Sequence, residues 1–86
     1  MKMKTILEKA LKYIIFPDHS FLKDVEVSSA RGFYFVDYLI DFDEVHNKLF
    51  NDEDVFKKIR NETYQIFKMV NITDGKILIS FNEKTR

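Results

Sequence analysis

The chain contains no cysteine, no tryptophan, one proline and two glycines in 86 residues. Without cysteine there is no disulfide, no thiolate nucleophile and no cysteine-based zinc site. That composition suits a reducing compartment, and a cytoplasmic protein is expected. Two isolated glycines cannot build a glycine-rich phosphate loop. Charge of one sign is also missing: fourteen basic residues balance fourteen acidic ones. Sequence-independent binding to a nucleic-acid backbone normally shows as a basic excess. Nowhere does an apolar run approach the eighteen or so residues of a membrane span. Glu8, Lys9 and Lys12 interrupt what would be the apolar core of a signal peptide. No membrane association is expected.

What the chain does have is aromatic side chains, nine Phe and four Tyr. A chain of this length forms one domain, residues 1–86, and its core is modest. Large rings make up much of the burial that a small domain otherwise lacks.

Apolar residues at helical spacing predict a first helix over 3–16. Met3, Ile6, Leu7, Ala10, Leu11, Ile14 and Ile15 lie on one face, and Lys2, Glu8, Lys9 and Lys12 on the other. Pro17 ends it. A helix lying on a membrane surface would call for a larger cationic excess and a bulky aromatic edge, so this one is expected to pack on a sheet. Alternation of Val25 and Val27 with Asp24 and Glu26 predicts a strand over 22–28, and a turn over 29–32 follows.

Residues 31–42 read Arg-Gly-Phe-Tyr-Phe-Val-Asp-Tyr-Leu-Ile-Asp-Phe, the most aromatic stretch of the chain. They are expected to form the return strand of a hairpin. Strand alternation puts Tyr34, Val36, Tyr38, Ile40 and Phe42 on the core face. The opposite face then carries Arg31, Phe33, Phe35, Asp37, Leu39 and Asp41.

Beyond this strand a helical segment is expected over 43–50, with Asp43 as its cap, and a helix over about 52–70, with Asn51 as cap. Asp74-Gly75 offers a competing reading, a hairpin pairing 64–72 with 76–81. In both readings 76–82 is a strand. The expected fold is α+β, a small two-layer sandwich in the order α-β-β-α-β (alternative α-β-β-α-β-β). Its helices pack on one face of an antiparallel sheet.

Arg31 to Tyr38 resembles the RNP1 octet of RNA recognition motifs, Lys/Arg-Gly-aromatic-Gly/Ala-Phe-Val-x-aromatic, with Tyr34 standing where Gly or Ala is usual. The resemblance implies single-stranded RNA binding, with Arg31 on a phosphate and Phe33 and Phe35 stacking bases. Asp37 and Asp41 on the same face oppose a phosphate backbone. A protein partner, or a second copy of the chain, therefore ranks first, with Arg31, Phe33, Phe35, Asp37 and Leu39 as the contact residues. The edges of a small sheet are a further place for a partner strand.

Two clusters could carry chemistry. Asp41-x-Asp43-Glu44-x-His46 gathers carboxylates and an imidazole, but acidic residues capping a helix explain it better than a metal site. Asp18-His19-Ser20 holds catalytic residue types, yet neighbours in a loop seldom face one another. The expectation is a non-catalytic protein of adaptor or inhibitor type, with no metal and no cofactor.

Overall fold

A computed structural model describes residues 2–44 and 52–83. Val45, His46 and Asn51, most of the helical segment expected over 43–50, and the tail 84–86 lie outside the described residues. The chain is an α+β protein with a three-stranded mixed sheet. In order come α1 (Met3–Ile14), a 3-10 turn (Phe16–Asp18), β1 (Leu22–Ala30), β2 (Phe33–Ile40), α2 (Asp52–Lys68), a second 3-10 turn (Asp74–Lys76) and β3 (Ile77–Glu83).

The sheet order is β1-β2-β3, with β2 central. β1 and β2 are antiparallel, whereas β2 and β3 are parallel. The expectation of an all-antiparallel sheet is thus corrected. The cause is α2: seventeen residues of helix span about 25 Å, enough to carry the chain back along the sheet. β3 therefore starts level with the start of β2, pairing Tyr34 with Ile77 and Ile40 with Glu83. The competing hairpin does not form. Residues 64–68 belong to α2, and Asp74-Gly75 lies in a 3-10 turn that leads into β3.

Strand alternation sorts the side chains as the pattern demands. Val25, Val27, Val36, Tyr38, Ile40 and Ile77 are buried in one cluster with Leu7, Leu11 and Ile15 of the first helical region and Ile59, Ile66 and Phe67 of α2. A β-bulge at Lys23 adds one residue to β1 between Leu22 and Asp24. The shift brings Leu22 to the core face together with Val25 and Val27, two positions of opposite parity. The buried face of α1 is narrower than its periodicity suggests. Leu7 and Leu11 are buried, but Met3, Ile6 and Ile14 stay more than 40% exposed.

One polar pair sits inside this core. Tyr38 and Thr63 have no exposed surface, and their hydroxyl oxygens are 2.6 Å apart. Thr63 donates to the Ile59 carbonyl at 2.7 Å. A hydroxyl has one proton, so Thr63 accepts from Tyr38 and passes its own proton onward. Burial pushes the Tyr38 hydroxyl well above the usual tyrosine range.

β1 is an edge strand, and α1 guards it. The Val25 amide donates to Asp24 Oδ1 at 2.8 Å, and the Val27 amide donates to Glu8 Oε2 of α1 at 2.7 Å. Residues of equal parity in an antiparallel ladder direct their amides the same way, so these are two of the donors turned away from β2. Carboxylates already occupy them, and an incoming strand would find them taken. Lys12 holds Asp24 from α1 at 3.1 Å.

Candidate aromatic sheet face

The candidate site begins at the β1–β2 turn. Arg31 (φ 54) and Gly32 (φ 82) form a two-residue hairpin loop in which both φ angles are positive, as a type I′ turn requires. Glycine adopts this at no steric cost, whereas arginine has a Cβ that resists it. Arg31 is therefore a turn residue and not the first member of the strand row, which corrects its expected alignment with Phe33 and Phe35.

Phe33, Phe35, Asp37 and Leu39 do share the sheet face opposite the core cluster, because β2 alternates without a bulge from Phe33 to Ile40. Phe33 is 36% exposed and Phe35 38%, while Leu39 is half-buried. Ala30 and Ser28 of β1 stand beside them, paired with Phe33 and Phe35. These small neighbours leave the rings uncovered on that side. From β3, Leu78 pairs with Phe35 and is 53% exposed. The Lys76 ammonium lies 5.0 Å from the Phe33 ring centre, a cation–π distance.

The face thus has two ends. Phe33, Phe35, Leu78 and Ala30 make the apolar one. The other is polar: Asp37 accepts from Ser80 at 3.2 Å and from Asn82, both on β3. Those bonds tie the parallel pair together and satisfy part of a carboxylate that would otherwise only repel anions. Asp41 is not on this face, contrary to expectation. β2 stops at Ile40, and Asp41 instead accepts the Glu44 amide at 3.2 Å, capping the helical residues 42–44. Asp41, not Asp43, is that cap.

Leu78 and Lys76 belong to the face and were not singled out by sequence reasoning. The alternation of β3 already set Leu78 apart from Ile77 and Ile79. Only the parallel register shows that it stands next to Phe35.

Ser20 and Lys23 both bind the Glu44 carboxylate, Lys23 at 3.1 Å. His46 lies outside the described residues. Among the described residues no group of three metal-ligating side chains comes together. His19 Nε2 is 3.4 Å from Glu62 Oε1 of α2, and its ring meets Phe21 edge-on. His19 and Ser20 thus face different partners and do not form a relay. A groove of about 430 Å³ lies at the end of α2, lined by Tyr64, Gln65, Lys68, Asn71, Ile72 and Thr73. The chain matches no protein-family model, no curated protein and no solved structure.

Proposed function

We propose that the protein is a small non-catalytic binding module, of the adaptor or inhibitor type, that acts in the cytoplasm. In this reading it is a two-layer sandwich whose helices close one sheet face and leave the other for a larger protein partner. The observation that carries the reading is the cluster of Phe33, Phe35 and Leu78, each more than a third exposed, on one side of the sheet. Aromatic rings with an apolar centre and a polar margin are what protein interfaces select. Asp37, Ser80 and Asn82 supply the margin. A partner that pairs as a strand is opposed at β1, where the Val25 and Val27 amides are taken, and is directed to β3.

Affinity capture from native extract tests the reading with three proteins: the wild type, Phe35→Asp, and Asn61→Asp as a control at an exposed position of α2. A bound protein retained by the control and lost from Phe35→Asp is the expected result. Identical sets of bound proteins for all three would refute it. A second copy captured in the same Phe35-dependent way would make the partner the chain itself.

A second reading, binding of single-stranded nucleic acid, draws on the cation–π contact of Lys76 with Phe33 and on Arg31 in the adjoining turn. Base stacking between cations would use the same rings. Salt-sensitive binding of a mixed RNA pool, lost in Phe33→Ala, would support it; no binding at low salt would exclude it.

A further inference from the structure

The outer surface of α1 is unlike the rest of the molecule. Met3 and Ile6 are each 42% exposed, Ile14 47% and Tyr13 85%. With about 100° per residue, these four and Ala10 fall in a sector roughly 100° wide, beside the one that buries Leu7 and Leu11. Lys2 and Lys9, both exposed, border it on the far side, and exposed Lys4 lies on the same helix. The only acidic residue in α1 is Glu8. It does not face solvent with the lysines, because its carboxylate is turned onto the Val27 amide. Lys12 is paired with Asp24. What α1 presents outward is therefore an apolar stripe with cations and no anion.

We propose that α1 is a membrane-surface helix that docks the protein on anionic lipid through Met3, Ile6, Tyr13 and Ile14, with Lys2 and Lys9 on the headgroups. Three features select lipid over a protein as the occupant. Protein interfaces are depleted in lysine, whereas an anionic bilayer attracts it. Lysine stems lie along apolar surface while their ammonium groups reach the headgroups. Tyr13, apolar in body and polar at its tip, is the ring type that settles at the boundary between lipid and water. The sequence alone counts Glu8 among the solvated charges; its use as a strand cap is what leaves the outer face purely cationic. This surface is separate from the aromatic sheet face, so the two proposals stand or fall independently.

Co-sedimentation with phosphatidylglycerol and with phosphatidylcholine vesicles tests it. The wild type is expected to pellet with the anionic vesicles and to be released by salt. Lys9→Gln should weaken binding roughly fivefold, the share of one lysine near an anionic surface. The double variant Ile6→Asp/Tyr13→Asp should abolish binding, and Asn61→Asp, at an exposed position of α2, should leave it unchanged. Melting followed by circular dichroism checks folding, and Tyr13→Asp alone, at a nearly fully exposed position, keeps the test open if the double variant unfolds. No pelleting with anionic vesicles at low salt would overturn the proposal. So would pelleting that the stripe variants do not reduce, or equal pelleting with neutral vesicles.

Discussion

Replacing Thr63 with valine keeps shape and volume but deletes the acceptor of the buried Tyr38 hydroxyl. Tyr38 has no exposed surface, and among the described residues Thr63 is the hydrogen-bond partner shown for its hydroxyl. Its O–H would be stranded in an apolar core at a cost of about 1–3 kcal/mol. Tyr38→Phe removes the donor instead. Thr63 keeps its bond to the Ile59 carbonyl, so the loss is the smaller one of about 0.5–1.5 kcal/mol. Combining the two removes both ends of the bond, and the double variant should be more stable than the sum of the singles predicts, by about 1 kcal/mol. In a chain of this size each kcal/mol moves Tm by roughly 4–8 °C. Urea unfolding followed by far-ultraviolet circular dichroism gives all four free energies, and unchanged m-values would show that the denatured state is not responsible. Equal destabilisation by Thr63→Val and Tyr38→Phe, with additive effects in the double variant, would refute the assigned direction of the proton.

Four further expectations follow from the same structure. The buried Tyr38 hydroxyl ionises well above its unfolded value of about 10. Its contribution is therefore complete below that pH and is lost as pH rises toward the folded value, by up to about 1.4 kcal/mol per unit; urea titrations across this alkaline range should fall less steeply for Tyr38→Phe. Glu8→Ala should cost about 1.5–3 kcal/mol, the usual worth of a hydrogen bond to a charged group. It should also promote association through the uncovered β1 edge, seen as concentration-dependent sedimentation. Arg31→Asn should raise stability by about 0.5–1 kcal/mol, because asparagine tolerates the positive φ of a type I′ turn. Gly32→Ala should lower it by about 1–2 kcal/mol from the backbone alone, since nothing lies near the added Cβ; thermal melts compare both with the wild type.

Burial is divided unequally between the two faces of β2: Val36, Tyr38 and Ile40 are fully buried, whereas Phe33 and Phe35 are not. Asp37 is held by Ser80 and Asn82, which keeps a charge at one end of the exposed face and limits how far an apolar contact extends along it.

Much of the local structure was legible from residue order. Periodicity places α1 and α2, Pro17 stops the first helix before β1, and strict alternation separates Phe33 and Phe35 from Tyr38 and Ile40. These are properties of neighbours a few residues apart, set by the 3.6-residue and two-residue repeats. The sequence alone did not determine the parallel entry of β3, because that depends on where a crossover helix returns the chain. Leu78 and Lys76 consequently join Phe33 and Phe35 only in the folded molecule. Nor could periodicity divide the apolar residues of α1 into covered and exposed ones, since Leu7 and Ile6 are both apolar and only packing decides which is covered. Arg31, Asp41 and Glu8 differ from expectation for one reason: a backbone amide or a positive φ claimed each of them locally. Residue type shows which groups can make such bonds, and tertiary structure decides which of them do.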